Sequence, residues 1–217
     1  MGWLRFGGRG KVGILLRPSK IIAAGLNYIE HITEMKMARP DHPILFLKAP
    51  SALIGDGDNI VYPPQTKELH YEAELAIVIK DRIRNITKAQ ALEHVLGFTC
   101  ANDVSARDLQ LLDGQWARAK SFDTFCPVGP RLVTGIDPNN LAIKCYLNGE
   151  LKQSSNTTSM IFKVEELIAF IAGVMTLEPN DIILTGTPPG IGPMKVGDVV
   201  EVEIEKIGRL KNQVVAA

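Results

Sequence analysis

Residues 70–81 read HYEAELAIVIKD, an extended apolar segment into which two carboxylates have been set. Side chains on a strand alternate between faces. Tyr71, Ala73, Leu75, Ile77 and Ile79 therefore form one continuous apolar face, and His70, Glu72, Glu74, Ala76, Val78 and Lys80 form the other. The second face turns apolar at Ala76 and Val78, so this strand is expected to be buried on both sides for part of its length. Glu72 and Glu74 then point the same way, about 6.6 Å apart along the chain. Two like charges in a sheltered place repel, and each also loses hydration. Something must neutralise them, unless the strand is an edge and both carboxylates face water.

Outward from this strand, the chain reads as strands punctuated by turns, with few helices. KVGILL and IIAAG are two short strands joined at Arg17-Pro18-Ser19. A short polar helix is expected from Asn27 to Lys36, and Pro40 and Pro43 break the chain before ILFLK. Thr87 opens a helix to His94, and GFTCAND reads as a second buried strand. SARD fits the S-x-x-[DE] capping box, which makes Ser105 the expected N-cap of a helix through Leu112. Asn148-Gly149 suits a type I′ turn between two strands. FKVEELIAFIAGVM is the clearest amphipathic helix, with Glu165 and Glu166 in its favourable first turn. IILTG and VVEVEIEKIG are further strands. Strands outnumber helices without alternating with them, so the expected class is α+β with a large mixed sheet or roll. A short leader strand region over 1–20 and one domain over 21–217 account for the 217 residues.

Composition narrows the partners. Hydrophobic residues make up 46% and charged residues 22%, ordinary for a soluble globular protein. The 24 basic and 24 acidic residues cancel, so no polyanion-binding surface is indicated and nucleic acid is not an expected partner. No apolar run approaches the roughly 20 residues that span a bilayer, and VGILL is short for a signal peptide. Cys100, Cys126 and Cys145 are odd in number and widely spaced, which suits neither a disulfide framework nor a zinc site. A reduced, cytoplasmic protein is expected.

Asp103 ends the apolar strand GFTCAND just before a helix, a common way to present one functional side chain. A cluster of Glu72, Glu74 and Asp103, with no matching cysteine or histidine pair, would select a hard cation: Mg²⁺ or Mn²⁺, with Ca²⁺ possible as a substitute. Arg107 and Gln110 share a helix face at i, i+3. Lys120 lies in the partly apolar stretch ARAKSFDTFCP, and TGTPPGIG can offer backbone N–H groups and the Thr187 hydroxyl to an anion. His31 and Glu34, also at i, i+3, are spaced for a carboxylate to orient an imidazole. Taken singly, each of these also has a structural reading: a helix cap, a surface ion pair, a solvated charge, a turn.

Four segments in order, YEAELAIVI, ANDVSARDLQ, WARAKSFDTFCPVGP and ILTGTPPGIG, resemble the fumarylacetoacetate hydrolase family. The likeness is to its short single-domain members: acylpyruvate hydrolases, oxaloacetate decarboxylases or tautomerases, and hydroxyheptadienedioate isomerases. It runs from Ile21 to the C-terminus and implies a mixed β-roll that dimerises. By that resemblance Glu72, Glu74 and Asp103 hold the ion. Arg107, Gln110 and Lys120 contact substrate or stabilise its oxyanion, and Thr187 meets a substrate carboxylate. Lys48, in LFLKAP, matches a family lysine near the site. His31 and Glu34 match a lid-borne pair that activates water.

The expected substrate is a small 2-oxo acid. The leading expected reaction is hydrolytic C–C cleavage of an acylpyruvate-type 2,4-dioxo acid through an enolate that the ion stabilises. Oxaloacetate decarboxylation or tautomerisation, and isomerisation of a hydroxyheptadienedioate, are the alternatives. A metal- and 2-oxo-acid-binding protein without turnover is the alternative from another class.

Overall fold

The computed structural model describes residues 4–6, 14–35 and 38–217, and of residues 4–6, 14, 31, 34 and 35 the backbone alone. Its largest sheet has seven strands, in the order Ile44–Lys48, Ile21–Gly25, Ile182–Leu184, Ala73–Ile79, Val95–Asn102, Cys126–Val133 and Leu53–Ile54. A five-stranded sheet runs Glu150–Asn156, Ala142–Leu147, Val199–Ile204, Gly208–Ala216 and Asn59–Tyr62. A small third sheet joins Ser105–Ala106, Leu69–Tyr71 and Gly192–Met194. Parallel pairs, such as Ile182–Leu184 with Ile21–Gly25, occur among mostly antiparallel ones. This is the mixed β-roll of an α+β protein with few helices.

Ala73–Ile79 is the middle strand of the large sheet, and every residue in it is buried. Burial of one Leu or Ile side chain contributes roughly 1.5–3 kcal/mol. Leu75, Ile77 and Ile79 on one face, with Ala76 and Val78 on the other, thus fix the strand at the centre of the molecule. The five-stranded sheet keeps the simpler alternation, with Val200, Val202 and Ile204 inward and their neighbours half-exposed. Helix α1 (Ile29–Met35) follows the Ile21–Gly25 strand; α2 (Arg107–Asp113) and α3 (Ala117–Lys120) follow the small sheet. Helix α4 (Val164–Val174) buries Val164, Leu167, Ile168, Ile171 and Ala172, the i, i+3, i+4, i+7 stripe its sequence presents.

The Asn148-Gly149 hairpin forms as its sequence predicts, with positive φ at both residues and Leu147 paired to Glu150. Elsewhere three local details differ. The helix expected from Thr87 is a 3-10 helix over Lys88–His94, opened by a Thr87–Gln90 capping box. Ser105 does not cap α2, which starts at Arg107 with Ala106 before it. Its hydroxyl instead donates to the Asp103 carbonyl at 2.8 Å, and Asp108 accepts the Lys67 N–H at 2.9 Å, so the predicted box is spent on tertiary contacts. The strand at 70–80 is also broken at Glu72, where the chain passes from the small sheet into the large one. Among the described residues no helix is long and apolar enough to cross a membrane. The three cysteines are buried and unpaired.

Candidate active site

The break at Glu72 builds the site. The ladder between Ala73–Ile79 and Val95–Asn102 ends at the pair Ala73–Asn102. One residue further, the Asp103 N–H donates to the Glu72 carbonyl at 2.8 Å, and the Glu72 N–H donates to the Asn102 side-chain carbonyl at 2.9 Å. Cross-strand neighbours share a face, so Asp103 arrives beside the two glutamates that alternation had already aligned. Glu72, Glu74 and Asp103 each bring a carboxylate oxygen to within 4.8 Å of the others, and all three are buried.

Three cations surround these three carboxylates. Lys48, at the end of its strand, donates to Asp103 and to the Val104 carbonyl. Lys120, the last residue of α3, bridges Asp103 at 2.6 Å and Glu72 at 2.8 Å. Arg107, the first residue of α2, holds Glu72 with one guanidinium nitrogen and Gln110 with another. Glu74 is left over. It is 1% exposed, and among the described residues its one hydrogen bond is from the Gly186 N–H, at 2.6 Å.

The protonation states follow from this arrangement. Burial pushes Glu72 upward, but Lys120 and Arg107 outweigh it and hold the carboxyl well below the usual range. Burial also raises Glu74, and there Asp103 and Glu72 add to the shift, so its carboxyl lies well above the usual range. Burial alone would neutralise Lys120, yet Asp103 and Glu72 raise it above an ordinary lysine, and it stays an ammonium.

These groups line one side of a cavity of about 210 Å³ that also receives Gln110 and Thr187. Its other lining residues are apolar: Ala24, Gly25, Leu26, Phe46, Leu111 and Trp116. Phe46 and Trp116 meet edge to face at 5.1 Å, and the Lys120 ammonium sits 5.1 Å from the Phe46 ring centroid. A Cβ on Gly25 would lie 2.7 Å from the Trp116 ring, so the indole packs directly on bare backbone there.

The structure thus brings together eight of the ten residues singled out in the sequence: Glu72, Glu74, Asp103, Lys48, Arg107, Gln110, Lys120 and Thr187. The side chains of His31 and Glu34 lie outside the described residues; their backbone is in α1. Sequence reading missed Phe46 and Trp116, which look like ordinary core aromatics. It also missed Gln153, which comes from the five-stranded sheet and gives no local signal of its partner Thr187.

A mixed β-roll whose central strand and its neighbour converge three carboxylates on an apolar-walled cavity defines a recognisable class. Residues 20–215 match the model of the family described as fumarylacetoacetate (FAA) hydrolase C-terminal, and the chain belongs to that family. Oxaloacetate tautomerase FAHD2B, a mitochondrial protein of Bos taurus, is 50% identical over 211 residues, 92% of this chain and 67% of that protein. The crystal structure of 2-hydroxyhepta-2,4-diene-1,7-dioate isomerase from Mycobacterium marinum superposes with a TM-score of 0.87 at 43% identity, covering 97% of this chain and 82% of that one. Fumarylpyruvate hydrolase from Pseudomonas aeruginosa, solved in complex with Mn²⁺ and pyruvate, gives a TM-score of 0.92 at 29% identity, covering 100% and 97%.

Proposed function

We propose that this chain is a divalent-metal-dependent enzyme that enolises a small 2-oxo dicarboxylate, with keto–enol tautomerisation of oxaloacetate as its leading reaction. One observation carries this reading: Glu74 is a buried carboxylate, beside two others, with no cation of its own. The donor set fits Mg²⁺ or Mn²⁺, since it is all oxygen, anionic and convergent. Glu72, Glu74 and Asp103 would hold the ion. Bound there, it supplies Lewis acidity that favours negative charge on the 2-oxo oxygen.

Charge supports a dicarboxylate. Lys48, Arg107 and Lys120 match the three carboxylates one for one, so the pocket without an ion is formally neutral. A divalent ion raises it to +2, the charge that neutralises oxaloacetate. The chain's own groups then have distinct tasks. Lys120, held as an ammonium, donates a hydrogen bond or a proton to an oxygen that gains charge, and cannot act as the base. Arg107 and Gln110, tied to each other, orient the far end of the substrate. Thr187 meets a carboxylate, while Phe46 and Trp116 exclude water. His31, oriented by Glu34, is the proposed acceptor of the C3 proton.

C–C hydrolysis is the second reading, favoured by the likeness of the whole chain to a fumarylpyruvate hydrolase. It uses the same pocket, with His31 taking its proton from water instead. The proposed unit of catalysis is residues 21–217, working as a homodimer; the exposed Ile44 and Leu47 on the outermost strand of the large sheet support an apolar contact there. The test is a proton NMR time course on oxaloacetate and acetylpyruvate with Mg²⁺ or Mn²⁺, and with EDTA as control. Ion-dependent keto–enol exchange in oxaloacetate without new products supports the first reading. Acetate and pyruvate from acetylpyruvate support the second. Binding of either acid without any change in it would overturn both.

A further inference from the structure

Gln153 lies at 1% exposure on the Glu150–Asn156 strand, outside the cavity, and makes three hydrogen bonds that together fix the polarity of Thr187. Its side-chain oxygen accepts the Ala73 N–H at 3.0 Å. A backbone N–H only donates, so the amide cannot be turned round. Its nitrogen therefore faces the Thr185–Gly192 loop, where it donates to Thr187 Oγ1 and to the Pro188 carbonyl, both at 2.8 Å. Both amide protons are used.

The loop is held on every side. The Gly186 N–H is bound by Glu74, and the Tyr71 hydroxyl donates to the Gly190 carbonyl at 3.0 Å. Gly190 lies so close to the Gln153 strand that a Cβ on it would stand 2.4 Å from the Lys152 carbonyl oxygen. These contacts hold the loop backbone that carries Thr187 against the amide that donates to its hydroxyl.

A hydroxyl carries one proton. Since Gln153 fills an acceptor position of Thr187 Oγ1, that proton must be spent elsewhere, and among the described residues no protein group accepts it. Thr187 lines the cavity. From this we infer that Gln153 is a positioning residue that turns the Thr187 hydroxyl proton away from itself and toward the cavity, where it donates to a substrate carboxylate. The same amide holds Ala73, between the two glutamates, so it also sets the height of that donor relative to Glu72 and Glu74. This rests on the reading of the cavity as a 2-oxo acid site.

The test is a double-mutant cycle on the full chain: Gln153→Met, Thr187→Val and both together, with Gln153→Glu as a fourth variant. Mn²⁺ affinity is measured by titration, oxaloacetate Kd by calorimetry on the Mn²⁺-loaded protein, and KM and kcat by turnover. Gln153→Met and Thr187→Val are each expected to raise Kd and KM roughly tenfold, the loss of one hydrogen bond to a charged group, with Mn²⁺ affinity unchanged in Thr187→Val, which keeps the Ala73 hydrogen bond. The double variant should bind no more weakly than Thr187→Val alone, because Gln153 acts through Thr187. Gln153→Glu keeps an acceptor for the Ala73 N–H but loses the donor to the Pro188 carbonyl, and its second oxygen takes the Thr187 proton; a thermal melt checks that it folds. It should bind more weakly than Gln153→Met. Additive losses, a parallel fall in Mn²⁺ affinity in Thr187→Val, or wild-type binding in Gln153→Glu would overturn the inference. If the wild type binds oxaloacetate without turnover, the proposed reaction fails while the Kd cycle still decides the role of Gln153. If it binds none, both fall.

Discussion

Asp103 stands directly across the sheet from Glu72, joined to it by a 2.8 Å backbone hydrogen bond one step beyond the last register pair. The contact places two buried carboxylates side by side without either side chain having to reach. Glu74, two residues along, completes a cluster whose three cations all pair with Glu72 or Asp103 and none with Glu74.

The unpaired position of Glu74 has a pH signature. Glu74 titrates above its unfolded value, so the stability it contributes is present below the ordinary glutamate range and is lost as pH rises through the raised folded value. Glu72 titrates below its unfolded value, so what it contributes is present above the ordinary glutamate range and is lost as pH falls from there through the depressed folded value. From mildly acidic pH upward Glu74 therefore governs the slope. In EDTA, melting temperature should fall as pH is raised; Mg²⁺ or Mn²⁺ should abolish the fall. Glu74→Gln should flatten the slope in EDTA and lose the response to the ion. A wild-type slope in that variant would remove Glu74 from the ion's site.

Glu72→Gln has the opposite balance. It leaves the Lys120 and Arg107 charges facing one carboxylate fewer, so the metal-free protein should be less stable than wild type. Ion-dependent turnover should be nearly abolished. Thermal melts and turnover with added Mn²⁺ check both, and full activity would sink the assignment of Glu72 as a ligand.

Lys120→Met removes the cation shared by Glu72 and Asp103. Breaking a buried ion pair costs about 3–5 kcal/mol, which in a domain of this size is a drop on the order of 10 °C in Tm. Saturating Mn²⁺ should recover part of that loss, since it satisfies the same carboxylates. Equal destabilisation with and without the ion would mean that Lys120 and the ion do not share partners.

Much of this was legible because strand alternation is a local property. The face shared by Glu72 and Glu74, the two-sided burial of 73–79 and the hairpin at Asn148-Gly149 needed no knowledge of partners. Register is not local. Nothing in GFTCAND says that Asn102 ends the ladder opposite Ala73, which is what brings Asp103 to the glutamates. The capping-box reading of Ser105 failed for a related reason: Asp108 found tertiary partners, Thr66 and the Lys67 N–H, that outcompeted its own helix end. Gln153 was invisible because its three partners lie 34, 35 and 80 residues away in sequence.

Gly25→Ala tests the apolar wall. The added Cβ would sit 2.7 and 3.0 Å from two atoms of the Trp116 ring, so the indole must shift, carrying with it a wall of the cavity. KM should rise several-fold with Mn²⁺ affinity unchanged, as measured by steady-state kinetics and metal titration. A change in metal affinity instead would place the effect in the carboxylate cluster.

His31→Ala separates the two proposed reactions. Helix α1, which carries His31, begins four residues after Gly25 of the cavity wall, so its position in the fold is suited to a group that acts on bound substrate. In hydrolysis the imidazole must take a proton from water and aim that water at a carbonyl, two tasks with no substitute in the pocket. In tautomerisation it moves one proton from an already acidic carbon, which bulk water or buffer partly replaces. The variant should therefore lose acetylpyruvate cleavage by a larger factor than oxaloacetate keto–enol exchange, and buffer concentration should restore only the exchange. Equal losses in both, insensitive to buffer, would mean that His31 orders α1 rather than carrying a proton.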